Sequence, residues 1–278
     1  YDNFNYKHSV IGSMEDLNAA SVEDVKDFFR IYYAPNNAAL VLVGDFKTDV
    51  ALAKIKQYFE AIPAQPMPPK VDTVEPEQTA ERRFTVDDPL AQLPLLMIGY
   101  KGVRGNTPDA YAMQVLATVL GSGQSSRLYQ KLVKEKQLTL SAGSFSQGRR
   151  GPGAFQIQAN IAPGKPVAEV EEAIYAEIAK LQSEPIADWE LAKAKQIAKR
   201  GAISQRQSSL GLAINLVENT TAWNDPNLVN TRLDKIAAVT KEDVMRVAKQ
   251  YLQAKNRTVG LAQPKPKGAS GAGTSNSK

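Results

Sequence analysis

One histidine and no cysteine stand in 278 residues. Thiolate zinc sites, disulfides and thiol nucleophiles all need cysteine, and a site built on two imidazoles needs a second histidine. His8 precedes Ser9-Val10-Ile11-Gly12 with no second ligand near it in sequence, so a packing or hydrogen-bonding role is expected. Asp45 follows an apolar run and reads as a turn and cap residue. Glu15-Asp16 read as acids at a helix entry, where the positive end of the helix dipole favours them. No residue of the chain is assigned a catalytic or metal-binding role.

The remaining charge is spread out rather than gathered. With 34 Lys and Arg against 29 Asp and Glu, the net charge is +5, and no basic cluster points to a nucleic-acid partner. Hydrophobic residues make up 43% and charged residues 23%, ordinary usage for a globular chain with a core. No run approaches the ~18 apolar residues of a membrane span. The opening Tyr1-Asp2-Asn3-Phe4 has no basic or apolar leader character and no initiator Met, so a processed or cut piece is expected. A cysteine-free chain suits bacterial periplasm and cytoplasm equally, which leaves the compartment open.

An internal repeat organises the elements. Ser21 to Asn37 can be laid on Thr240 to Asn256, where Glu23, Asp24, Val25, Tyr32 and Asn37 recur as Glu242, Asp243, Val244, Tyr251 and Asn256, each 219 residues on. Each copy reads as a helix capped by Ser21 or Thr240, followed by an apolar strand, Ala39 to Val43 or Thr258 to Ala262. A unit of about that length whose ending comes this early implies that most of the first unit is absent.

The other segments fit that division. Thr48 caps a helix with Leu52, Ile55 and Phe59 on one face, and prolines from Pro63 to Pro76 mark an extended linker. Strands are expected at Arg83 to Asp87 and Leu93 to Tyr100. Thr107-Pro108-Asp109 opens a helix with Ala112, Val115, Leu116, Val119 and Leu120 as its buried stripe. Another helix begins at Ser125 or Ser126. Leu138 to Gln147 and Ala154 to Ala162 alternate about a Gly-Pro-Gly turn, as a hairpin does. Val167, Val170, Ile174, Ile178 and Leu181 mark a further helix, and long helical stretches follow from Ala187 to Glu218. The expected class is α+β, a sheet with helices packed on one face, in a duplicated unit. Its domains are residues 1–63 as the end of a first unit, 64–80 as linker, 81–266 as a complete second unit and 267–278 as a disordered tail.

Four stretches carry a resemblance to a known family. Tyr6-Lys-His-Ser-Val-Ile-Gly-Ser-Met-Glu-Asp-Leu17, Phe28-Phe29 and the run from Tyr32 to Val43-Gly44-Asp45 resemble the end of the first domain of the insulinase, pitrilysin and mitochondrial processing peptidase family. Gly121-Ser-Gly-Gln-Ser-Ser-Arg-Leu-Tyr-Gln-Lys-Leu132 resembles the Gly-rich turn and helix of its second domain. The resemblance covers nearly the whole chain to about Pro264 and implies the C-terminal portion of a bacterial two-lobed zinc peptidase.

Such enzymes hold zinc on an inverted His-x-x-Glu-His motif and a later Glu in the first domain, so the resemblance places zinc in a missing N-terminal portion and none here. It also implies that a second-domain Arg and, seven residues on, a Tyr reach the substrate. This chain has Val133 and Leu140 at those places. Arg127 and Lys134 are the nearby cations, and these four residues are the substrate-chamber candidates. The implied role is part of a zinc-dependent metalloendopeptidase enclosing an extended peptide. The implied partners are the parent's N-terminal lobe and another family member in a homo- or hetero-oligomer. A non-catalytic structural or regulatory subunit and a peptide-binding scaffold are the alternatives.

Overall fold

The computed structural model describes residues 1–265, so the expected tail at 267–278 lies outside the described residues. In chain order the elements are α1 (Phe4–Lys7), α2 (Met14–Ala19), α3 (Val22–Tyr32), a 3-10 turn (Pro35–Asn37), α4 (Thr48–Phe59), β1 (Arg82–Asp88) and β2 (Leu95–Arg104). Then come α5 (Pro108–Gly121), a π-helical turn (Tyr129–Glu135), β3 (Thr139–Gln147), β4 (Pro152–Ile161), α6 (Val167–Ser183), α7 (Asp188–Arg206) and α8 (Ser209–Trp223). The chain continues through α9 (Leu228–Ala237), α10 (Lys241–Tyr251), a second 3-10 turn (Ala254–Asn256) and β5 (Arg257–Pro264).

The five strands form one sheet in the order β1-β5-β2-β4-β3, parallel only between β1 and β5. Side chains alternate across it as strand geometry demands. Leu96, Ile98 and Tyr100 of β2 and Phe155, Ile157, Ala159 and Ile161 of β4 point inward and are buried, while Met97, Gln156 and Gln158 point outward. The inward side chains meet the predicted stripe of α5, all of it buried, and Val170, Ile174, Ile178 and Leu181 of α6. Each such Leu, Ile or Phe contributes about 1.5–3 kcal/mol, so this side of the sheet is where the fold is held. The expected α+β class, with helices on one face of a sheet, describes the molecule.

The two copies of the repeat share their local structure. Ser21 with Asp24, and Thr240 with Asp243, each close a capping box at the helix start. Each helix leads into a 3-10 turn, and the last residue of that turn bonds back to the helix: Asn37 Nδ2 donates to the Tyr32 carbonyl at 2.9 Å, Asn256 Nδ2 to the Tyr251 carbonyl at 2.8 Å.

Other expectations are corrected. Ala39 to Val43 runs extended but forms no strand, because a strand needs a hydrogen-bonded neighbour and none lies beside it among the described residues. Thr258 to Ala262, its counterpart, sits between β1 and β2. Thr48 is the first helical residue of α4 rather than its cap, and Leu52 and Phe59 stay about half exposed for want of an opposing surface. The helical stretches expected after Ala187 are α7 and α8, and the second runs on to Trp223, beyond the expected Glu218; Ser208, whose hydroxyl accepts from the Gly211 N–H, starts it. Helix α9 was not expected at all.

The proline-rich segment has no helix or strand, and its far end is fastened. Glu75 forms a nearly solvent-free ion pair with Lys101 at 2.5 Å, and Asn3 donates through its amide to the carbonyls of Asp72 and Val74.

Candidate functional site

The corner where the π-helical turn meets β3 carries two backbone irregularities in succession. Gly123, at φ +77°, turns the chain out of α5, and the Ser126 hydroxyl donates to the Gly123 carbonyl at 2.7 Å. Leu128 and Leu132 anchor the next turn in the core. The turn closes by the Lys136 N–H donating to the Lys131 carbonyl, a five-residue span that places one more residue in the turn than an α-helix has. Gln137 at φ +51° then reverses the chain, and the Leu138 N–H donates to the Leu132 carbonyl at 2.8 Å. The β3–β4 register slips between Thr139 and Ser141, which leaves Leu140 in a β-bulge on an edge strand, 58% exposed. Bulges and π-turns re-aim side chains and recur at functional sites.

Val133 and Leu140 therefore lie on adjacent segments of one irregular corner. Neither side chain can donate or accept a hydrogen bond. Lys134 is exposed, with its ammonium 5.9 Å from the centre of the Tyr129 ring. Arg127 is directed elsewhere. Its Nε and Nη2 donate to the two carboxylate oxygens of Glu190 on α7, each at 2.7 Å, and Glu190 also accepts from the Ala187 N–H at 2.9 Å. Burial works to raise the Glu190 carboxyl, but the Arg127 guanidinium and the Ala187 N–H outweigh it and hold the group below its ordinary range. This geometry braces α7 against the start of the π-helical turn.

The residues present do not fit a zinc ion. His8 follows α1 on the surface, with Nδ1 2.6 Å from the Phe4 carbonyl and its ring stacked on Phe4 at 4.7 Å. Among the described residues no three His, Cys, Asp or Glu side chains converge in a way that could hold a metal. Glu15 and Asp16 lie in the first turn of α2, where Asp16 bonds the Ser13 cap, as a helix-entry acid does.

On its uncovered side the sheet is a broad, mixed surface. Register sets Phe84, Gly260, Met97 and Gln158 in one row across it, and Thr258, Gly99, Gln156 and Phe145 in the next. The glycines keep the middle of this surface low. A Cβ on Gly260 would stand 2.6 Å from the Phe84 ring, so the ring lies over the bare backbone.

Comparison with known proteins settles the family. The description "Peptidase M16 inactive domain" matches residues 19–198. The chain belongs to this peptidase M16 family. It is 28% identical over 261 residues to the zinc protease PqqE of Helicobacter pylori, covering 93% of this chain and 59% of that one. It is 21% identical to a probable mitochondrial-processing peptidase subunit beta of Arabidopsis thaliana, covering 92% of this chain and 50% of the other. The crystal structure of a protease from H. pylori superposes with a TM-score of 0.84 at 27% identity, over 91% of this chain and 61% of that one. The chain spans 54–60% of the length of four bacterial zinc proteases it matches.

For this M16 chain, sequence reasoning reached the corner at 133 and 140 but missed most of the open sheet face. The outward run Gln156, Gln158 and Asn160 was readable from alternation. Phe84, Gly99 and Gly260 were not, because nothing in a strand's own sequence says which strands lie beside it.

Proposed function

We propose that the chain is the C-terminal portion of a zinc-dependent metalloendopeptidase, in which it encloses an extended peptide while the metal and the general base sit in a preceding lobe. The observation that carries this reading is the one-sided sheet. A surface of Phe84, Met97, Phe145, Gln156 and Gln158, with no helix over it among the described residues, offers apolar contact and amide hydrogen bonds to an unfolded chain without demanding one sequence. The similarity to proteins described as zinc proteases supports the parent's chemistry.

In this reading residues 1–63 end the first unit, 64–80 link the two and 81–266 form the second unit. The shared capped helix, 3-10 turn and Asn-to-Tyr bond in both copies support the duplication. The unpaired run at Ala39 to Val43 would join the sheet of the first unit. The aliphatic pair Val133 and Leu140 supports a further partner, since a transition-state oxyanion needs donors that neither side chain supplies. A second family member bound to the parent is the simplest source. The same lack of donors is what a purely structural or regulatory subunit would show.

The test uses the intact parent and an unstructured fluorogenic peptide. Chelation should abolish turnover and zinc restore it. Phe84→Glu and Met97→Glu should each raise KM several-fold with the circular dichroism spectrum unchanged. Turnover that survives chelation would remove the zinc assignment, and unchanged KM in both variants would remove the sheet face as the peptide surface.

A further inference from the structure

At the end of the sheet opposite the π-helical corner, a cavity of about 450 Å³ lies between the loop after β2, the start of α5, the β3–β4 turn and the adjoining ends of α8 and α9. That volume falls within the ~300–1,000 Å³ range of small-molecule sites. Its walls are closely built: a Cβ on Gly105 would strike the Trp223 ring and crowd Gly148, so the indole seats directly on backbone.

Two charged residues line the cavity, the partly exposed Arg232 and the exposed Glu218, and among the described residues neither forms an ion pair. Arg232 of α9 makes one hydrogen bond, from Nη2 to Asn219 Oδ1 at 2.5 Å, and its Nε is buried with no acceptor. Asn219 is only 2% exposed and is fixed in turn by donating to Asn215 Oδ1 at 2.7 Å. A neutral amide thus holds this guanidinium, and among the described residues no carboxylate pairs with it. Glu218, the neighbour of Asn219 in sequence, also lines the cavity; it is exposed, and among the described residues it makes neither an ion pair nor a side-chain hydrogen bond. Asp225, whose charge and that of Arg232 both reach the Tyr111 hydroxyl, accepts from the Asn227 N–H at 3.1 Å instead.

A partly buried guanidinium held only by a neutral amide keeps N–H groups free for an anionic group that enters the cavity. A carboxylate meets this need, because it can take two parallel N–H groups from a guanidinium. The unpaired Glu218 supplies the opposite charge in the same space, and Trp223 and Tyr111 supply apolar wall. We propose that this cavity binds a small zwitterion, a free amino acid or dipeptide, with its carboxylate on Arg232 and its ammonium facing Glu218. The proposal is independent of the peptidase reading, since it rests on the cavity alone.

The test is isothermal titration calorimetry of the intact protein with the dipeptide Ala-Phe, its C-terminal amide, its N-acetyl form and inorganic phosphate. Saturable binding of Ala-Phe is expected, weakened about tenfold or more by amidation or by Arg232→Gln, and likewise by N-acetylation or by Glu218→Gln. Asn219→Asp gives Arg232 an internal carboxylate, so it should raise the melting temperature while abolishing binding, an outcome that misfolding cannot imitate. Absence of saturable heat with Ala-Phe, equal binding of the amide, or phosphate binding as tightly as Ala-Phe would each overturn the proposal. So would an Asn219→Asp protein that binds normally.

Discussion

Replacing Arg127 by methionine separates a brace from a substrate contact. The Arg127 and Glu190 side chains are 19% and 8% exposed and share two hydrogen bonds of 2.7 Å. A surface ion pair is worth about 0–1 kcal/mol, whereas removing one partner of a buried pair costs about 3–5 kcal/mol, because the other charge is stranded. The partial exposure of Arg127 puts the loss near the lower end, about 3 kcal/mol. For a unit of this size that is a fall in melting temperature of roughly 6–12 °C.

The loss depends on pH with a definite sign. Glu190 sits below its ordinary value of 4.5, so its contribution is complete above that pH and fades as the pH falls through the lowered value. Without Arg127 the carboxyl keeps the Ala187 N–H but loses its guanidinium partner, so burial weighs more and the group titrates higher; the difference between wild type and variant is therefore largest near neutrality and shrinks in acid. Urea denaturation followed by circular dichroism at pH 7 and pH 4 measures both quantities. Adding Glu190→Met to Arg127→Met should recover most of the stability, since the stranded charge is then gone. An Arg127→Met protein of wild-type stability whose parent loses peptide turnover would refute the brace and make Arg127 a chamber cation.

Gly121→Ala should destabilise by about 3 kcal/mol in the same denaturation assay, because the new Cβ would overlap the backbone of Gly143 and Ser144 where α5 lies against β3. Asp109 is held below its ordinary value by the hydrogen bond from Arg246 and accepts from the Tyr251 hydroxyl at 2.7 Å, so Asp109→Asn should cost about 1 kcal/mol above pH 3.8 and nothing well below it. The Tyr251 hydroxyl, pushed up to about 12 by burial and by Asp109, should titrate lower in that variant, as spectrophotometric titration will show. Val133→Arg with Leu140→Tyr should raise the peptidase rate of the parent assayed alone, and full wild-type activity without any partner chain would sink the shared-site reading. Phe28→Asp should destabilise the intact parent by about 2 kcal/mol or more but leave the melting curve of the 278-residue chain nearly unmoved.

Elements whose partners are local in sequence were legible, and elements defined by distant partners were not. The α5 stripe, the α6 stripe and the β3–β4 hairpin follow from periodicity and turn residues, and all formed near their expected bounds. Helix α9 was missed although it was legible, since Val229, Leu233 and Ile236 stand at i, i+4 and i+7 within its ten residues. The direction of Arg127 could not be read, since Glu190 is 63 positions away and nothing local marks it as the partner. At the candidate corner, sequence located positions 133 and 140, but neither the π-turn nor the bulge at Leu140 leaves a compositional trace, because both are set by how the core seats Leu132 and Leu138.

The two repeat copies show how one local pattern meets two environments. Val244, Val247 and Ala248 of α10 are buried, and the residues 219 places earlier are Val25, Phe28 and Phe29, each at least half exposed on α3. The capping box and the Asn-to-Tyr bond form in both, so they depend on the local sequence alone. Burial requires a covering surface, which α5 and α6 provide for α10 and which nothing described provides for α3. Covering Val25, Phe28 and Phe29 would contribute about 1.5–3 kcal/mol each. Their greater bulk relative to Val247 and Ala248 also means that a surface able to cover α3 could not be a copy of the α5 and α6 surface. It would have to leave room for two phenyl rings where α10 presents a valine and an alanine.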